Sequence, residues 1–180
     1  MKINIITILS ILILGGCASI PQGVSIDYDP EAEFKTYKTF YWSDEILQDK
    51  MEQPLFYNSL VKKRIKNAVE KEMTGRGYEL MPFNPDLYIN AHMIVEQKTE
   101  VQSNPGAYRY YWQDNVRTIN TKEGTLVIDI IDRDKKQLVW QGAYKGSILD
   151  AKKPEDKQRA IRDAVSVIFR EYEYRATPEE

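Results

Sequence analysis

The run Gly124-Thr125-Leu126-Val127-Ile128-Asp129-Ile130-Ile131-Asp132, followed by Asp134-Lys135-Lys136 and a second extended stretch from Gln137 to Ile148, decides the fold class. Leu, Val and Ile at this density pack well on a pleated surface, and nine residues is strand length. The three polar residues after the run are turn chemistry, so 124–148 reads as a hairpin whose first arm is a central strand. Working outward, Leu87, Ile89, Ala91, Met93 and Val95 alternate with Tyr88, Asn90, His92 and Glu96, which predicts a long half-buried strand over 86–98. Ser103-Asn104-Pro105-Gly106 is a loop signal after it.

Further out the period changes. Residues 55–74 place Val61, Ile65, Ala68, Val69 and Glu72 on one helical face, with Lys62, Lys63, Lys66, Asn67 and Glu70 on the other. Gly75 or Gly77 supplies the left-handed residue that ends such a helix, and 78–81 reads as a short strand. Val24 to Tyr28 alternates, Asp29-Pro30 breaks it, 36–42 is a second strand, and the polar segment 43–53 loops out. At the other end Pro154 suits a first helical position. Ile161, Ala164, Val165, Ile168 and Phe169 then make an apolar stripe toward Tyr172, with a charged tail fraying from Arg175. The expected architecture is one α+β domain over 24–174. Its single, mainly antiparallel sheet has both helices packed on one face, which buries both stripes.

Composition agrees with a folded domain. The 180 residues are 42% hydrophobic and 29% charged, ordinary values for one globular unit. A formal net charge of −2 argues against a nucleic-acid binder, since basic runs such as Lys62-Lys63-Arg64 have acidic neighbours.

The lone cysteine, Cys17, cannot make an internal disulfide, so the fold must stand on packing. Its context gives it another task. Met1-Lys2 is a short basic start, and 3–14 is a run rich in Ile and Leu, shorter than the ~20 residues a spanning helix needs. Leu14-Gly15-Gly16-Cys17 resembles the lipobox of bacterial lipoproteins. That resemblance implies a signal peptide over 1–16, a diacylglyceryl thioether on Cys17 and acylation of its new amino group. Several acyl chains hold a protein durably, at ~0.8 kcal/mol per buried CH₂. Residues 17–23, with Pro21 and Gly23, read as a lipidated tether. Ala18 in place of an acidic residue favours the outer membrane, so the expected address is the cell envelope, facing the periplasm.

Catalytic patterns are sparse. His92 is the sole histidine, which excludes a multi-histidine metal centre, and no Gly-x-Ser-x-Gly elbow accompanies it. Asp129 and Asp132 are three apart on a strand and so point to opposite faces unless a bulge intervenes. Phosphate-loop, dinucleotide and calcium-loop patterns are missing, so no cofactor or metal is expected. The densest functional signal is Tyr108-Arg109-Tyr110-Tyr111-Trp112, five residues suited to stacking on sugars or peptides, or equally to packing against the sheet.

Several blocks together resemble a family of small bacterial lipoproteins, the domain of unknown function 4136. They are Asp27-Tyr28-Asp29-Pro30, Phe34-Lys35-Thr36-Tyr37-Lys38-Thr39-Phe40-Tyr41-Trp42, Gly75-Arg76-Gly77-Tyr78, Pro85-Asp86-Leu87, the run 124–132, and Leu138-Val139-Trp140-Gln141-Gly142. The resemblance covers nearly all of the mature chain and implies a periplasm-facing α+β domain with no assigned activity. The functional expectation is a noncatalytic envelope lipoprotein that binds or supports assembly, attached through its lipid, with another envelope protein or peptidoglycan as partner. A hydrolase of envelope polymers and a self-associating structural protein are the alternatives.

Overall fold

The computed structural model describes residues 23–43, 57–103, 116–146 and 151–176. The strands are β1 (Val24–Tyr28), β2 (Thr39–Trp42), β3 (Glu79–Leu80), β4 (Leu87–Ser103), β5 (Val116–Asp132) and β6 (Gln137–Gly146). The helices are α1 (Ser59–Thr74) and α2 (Pro154–Arg170), and a 3₁₀ turn at Phe34–Thr36 precedes β2. One mixed sheet has the order β1-β6-β5-β4-β2-β3. The four strands from β1 to β4 in that order each run antiparallel to their neighbours, while β2 runs parallel to both β4 and β3. It is the mainly antiparallel α+β sheet that the hydrophobic patterning predicts.

Both helices cover one face of the sheet, and their stripes meet alternate strand positions. Val61, Ile65, Val69 and Met73 of α1 are buried, as are Ile161, Ala164, Val165, Ile168 and Phe169 of α2. Beneath them lie Leu87, Ile89 and Ala91 of β4 and Leu126, Ile128 and Ile130 of β5. Full burial of each such side chain contributes roughly 1.5–3 kcal/mol, which is what keeps the two helices seated.

The helix ends carry their own chemistry. The helix begins at Ser59, later than the expected 55, because Asn58 caps it and accepts from Leu60 and Val61 N–H at 3.1 Å. Of the two candidate glycines Gly77 is the left-handed one (φ 88°), whereas Gly75 stays helical. Gly77 N–H reaches Thr74 O and Tyr78 N–H reaches Met73 O, the Schellman pattern. Tyr78 and Met73, its paired hydrophobic positions, are both buried.

Strand bounds also differ from the sequence expectation. Strand β2 starts at Thr39 rather than 36, because Thr36 belongs to the 3₁₀ turn. Strands β4 and β5 run further than expected, to Ser103 and from Val116, so the loop signal at 103–106 begins one residue inside β4. The expected loop 44–53 and residues 104–106 lie outside the described residues. At the C-terminal end the chain is still bonded past Arg175, with Ala176 N–H donating to Arg76 O at 3.1 Å.

A bulge between Ile130 and Ile131 pairs them with Trp140 and Leu138, leaving Val139 as the extra residue. It interrupts alternation in β6, and Val139 and Trp140 are both buried. A Cβ on Gly142 would overlap the Trp140 ring and lie 2.5 Å from Ile168 Cγ2. A bare backbone at this point lets α2 close onto the indole. Among the described residues no helix is long and apolar enough to cross a membrane.

Candidate functional site

Strands β4 and β5 pair over all 17 of their positions, from Leu87↔Asp132 to Ser103↔Val116. Strand β6 leaves β5 at Gly124, and β2 accompanies β4 only to Ile89. The eight outer pairs, Glu96↔Glu123 to Ser103↔Val116, therefore form a two-stranded ribbon with no third strand among the described residues. At about 3.3 Å per residue it projects some 25 Å beyond the sheet. Its sequence, Gln97-Lys98-Thr99-Glu100-Val101-Gln102 against Arg117-Thr118-Ile119-Asn120-Thr121-Lys122, is polar throughout apart from Val101 and Ile119. A two-stranded ribbon by itself is marginally stable.

Residues 104–115 join the outer ends of this ribbon in the sequence, and with them comes the aromatic run Tyr108, Arg109, Tyr110, Tyr111 and Trp112. That run and Cys17 both lie outside the described residues.

The sheet face opposite the helices carries a row of polar side chains. Asn90, Asp129, Gln141 and Asp27 stand in register across β4, β5, β6 and β1. Gln141 Nε2 donates to Asp129 Oδ1 at 2.7 Å, and His92 Nδ1 stands 3.8 Å from Asp129 Oδ2. Asp129 is only 9% exposed, unusual for a carboxylate on a face that no helix covers. His92 is half exposed, so the row offers amide, carboxylate and imidazole edges side by side. Such edges hydrogen-bond hydroxyls and peptide groups. Asp132 does not join the row, since β5 keeps its alternation and the bulge falls on β6.

Asp132 instead belongs to a buried polar cluster that sequence reasoning misses. It accepts from Tyr37 Oη at 2.7 Å and from the N–H groups of Asp134 and Lys135 at 2.9 Å. Burial alone would raise its carboxyl, but the Lys135 amide, the Tyr37 hydroxyl and the Asp134 amide together hold it below the usual carboxylate range. Burial, and then the bond to Asp132, push the Tyr37 phenol up. Asp86 works likewise, accepting from Lys38 N–H, Thr39 N–H and Thr39 Oγ1 within 2.9 Å. Those donors outweigh burial and lower its carboxyl. These two acids fix β2 to the strand-end turns. Their role is structural, and it accounts for the Pro85-Asp86-Leu87 block.

Two half-open clefts flank the exposed ring of Tyr28 on edge strand β1. One of about 270 Å³ is lined by Ile26, Tyr28, Trp140, Glu171, Glu173 and Tyr174. The other, about 210 Å³, lies on the Asp27, Asp29 and Leu138 side. Among the described residues no three His, Cys, Asp or Glu side chains come together so as to hold a metal ion.

Helix-backed sheet, polar open face and projecting ribbon define a small α+β domain. The chain belongs to the family described as domain of unknown function (DUF4136), whose model matches residues 24–172. No curated protein matches it. Among solved structures it is similar to a PDZ domain protein from Parabacteroides distasonis, at 16% identity and a TM-score of 0.53. That match covers 86% of this chain and 36% of the other, so this chain spans about a third of that protein's length. The likeness is one of fold. A PelC dodecamer from Paraburkholderia phytofirmans also matches, at 9% identity and a TM-score of 0.37 over 86% of this chain and 98% of that one.

Proposed function

We propose that the chain is a noncatalytic lipoprotein of the bacterial cell envelope, a binding or assembly-support domain anchored through acyl chains on Cys17. Support for the anchor is the Leu14-Gly15-Gly16-Cys17 sequence, placed seven residues before the first strand. The single observation that carries the binding role is the ribbon. Eight strand pairs extend beyond the last pairing of β5 with β6, and an arm of that kind suits contact with a partner. The run Tyr108, Arg109, Tyr110, Tyr111 and Trp112 sits in the sequence at the far end of that arm, where Tyr, Trp and Arg suit recognition. The partner in this reading is another envelope protein or peptidoglycan, and the domain sits at the outer membrane facing the periplasm.

Labelled palmitate supplied to the native host tests the anchor. It is expected to enter the wild-type chain and to be absent from Cys17→Ser; label in neither would remove the anchor from the proposal. Sedimentation of the detergent-purified lipoprotein with peptidoglycan sacculi, and photo-crosslinking from position 110 in living cells, test the contact. A saturable interaction weakened by Trp112→Ala supports it. A wild type that binds nothing in either assay refutes it.

A further inference from the structure

We propose that the outer edge of β1 takes up an extended, basic segment of a partner polypeptide as an added strand, with a lysine or arginine of that segment seated in the cleft lined by Tyr28 and Tyr174. This surface is separate from the ribbon and depends on neither the ribbon nor the Cys17 anchor.

Strand order and two hydrogen bonds define the edge. Strand β1 ends the sheet, and β6 is its sole strand neighbour among the described residues. Lys145 N–H donates to Gly23 O at 2.8 Å, and Asp29 N–H donates to Val139 O at 2.9 Å. Bonded and non-bonded positions alternate in an antiparallel ladder. Residues 23, 25, 27 and 29 therefore face β6, while Val24, Ile26 and Tyr28 turn their backbone groups outward. The Tyr28 N–H is taken by the Asp27 carboxylate at 3.0 Å. Among the described residues nothing bonds to the outward N–H and C=O groups of Val24 and Ile26. An extended peptide laid along this edge would pair with them, the mode by which strands are added to open sheets.

Side chains at the same positions shape the cleft. Ile26 and Tyr28 lie on the helix-covered side of the sheet, the side of Trp140. A partner residue opposite Ile26 points its side chain to that side, into the space of about 270 Å³ beside Glu171, Glu173 and Tyr174. That volume falls below the roughly 300–1,000 Å³ of small-molecule sites and suits a single side chain.

Charge selects which side chain. Neither Glu171 nor Glu173 forms an ion pair with a described residue. Asp27 and Asp29 stand on the other side of Tyr28, and no Lys or Arg is among the described residues lining either cleft. Glu171 also caps the C-terminus of α2, where the negative end of the dipole favours a cation. The exposed ring of Tyr28 and the ring of Tyr174 offer faces to a cation and its apolar stem. A second copy would bring the same carboxylates to the edge, like charge against like, which is how edge strands are kept from pairing with themselves. The occupant is a different polypeptide, and a basic one.

The test uses the full-length chain in detergent and three capped heptapeptides, each titrated to millimolar concentration. The first is Thr-Lys-Thr-Arg-Thr-Lys-Thr. The second carries Glu at the basic positions, and the third is N-methylated at the Lys and Arg residues, which keeps the charge and removes the donors that face β1. Saturable binding of the first peptide is expected, with slowed hydrogen exchange at the Ile26 amide. The other two peptides should bind at least about tenfold more weakly, as should the first peptide to a Glu171→Lys, Glu173→Lys double variant, the scale of two exposed charge contacts made repulsive. Equal binding of the N-methylated peptide would reduce the contact to charge attraction and overturn strand addition. Ile26 exchange that slows with protein concentration, without peptide, would assign the edge to a second copy and overturn the basic occupant. A first peptide that neither binds nor slows Ile26 exchange overturns the proposal outright. None of these outcomes bears on the anchor or on the partner of the ribbon.

Discussion

Arg76 Nη2 donates to the carbonyl of Phe169 at 2.5 Å, joining the last turns of two helices that are 93 residues apart in sequence. The same guanidinium reaches Tyr172 O at 3.3 Å, Glu72 O at 3.0 Å and the Glu72 carboxylate at 2.6 Å. Three of these acceptors are carbonyls at or just beyond helix C-termini, where the negative end of the dipole favours a cation. One side chain thus satisfies ends that would otherwise be short of donors. The fork also lies over the Phe169 ring at 5.3 Å.

Arg76→Ala is therefore expected to destabilise the domain by about 3 kcal/mol, the scale of several charge-assisted bonds lost with acceptors left unpaired. Arg76→Lys should recover only part of this, since an ammonium has no planar fork. Urea titration of the three proteins checks it. Equal midpoints for wild type and Arg76→Lys would show that charge without geometry suffices.

Gly142→Ala is expected to cost roughly 1–3 kcal/mol by overpacking, because the new methyl meets the Trp140 ring and Ile168. Near-ultraviolet circular dichroism should report a disturbed indole alongside the lower melting temperature. An unchanged melting temperature would mean that α2 can shift away from the sheet at no cost.

Gly77→Ala tests the helix stop. At φ 88° a side chain is strained, and its Cβ would come within 3.1 Å of Ala176 O. A loss of about 1 kcal/mol is expected from the conformation alone. The matching change at Gly75, which stays helical, should be nearer neutral in the same thermal melt.

Stability should fall at both ends of the pH scale, through one pair. Asp132 is lowered in the folded state, so its contribution is present above the unfolded carboxylate value and is lost as pH falls through the folded one. Asp86 adds a second acid-side loss for the same reason. Tyr37 is raised, so its contribution is full below the unfolded phenol value, near 10, and is lost as pH climbs above it. Tyr37→Phe should cost about 1.5–3 kcal/mol at neutral pH and flatten the alkaline decline. Chemical denaturation at several pH values reads both effects. An alkaline decline as steep in Tyr37→Phe as in wild type would place its cause elsewhere.

Much of the architecture was legible before any coordinates. The alternation of 24–28 picks out the half-buried Val24 and Ile26, and the 3.6-residue stripes of the two helices name their buried faces, because one-sided burial writes a period into the chain. The run 124–132 announces a central strand for the same reason. The ribbon was not legible. Residues 97–103 and 116–122 have little apolar periodicity, so no pattern in them names a strand face. Strand β2 offers too few residues to show that it runs parallel to β4.

The candidate site divides the same way. The proposed acylation site and the aromatic run are local patterns in the sequence, so Cys17 and the 108–112 aromatics can be named from sequence alone. Pairing of Tyr37 with Asp132, Arg76 with Phe169, and the row from Asn90 through Asp129 to Gln141 joins residues that lie far apart along the chain. Only the closed sheet decides them, because hydrogen-bond geometry depends on strand register and register is set by the whole packed face. The place of β1 at the edge of the sheet is likewise a property of strand order, on which no single segment carries information.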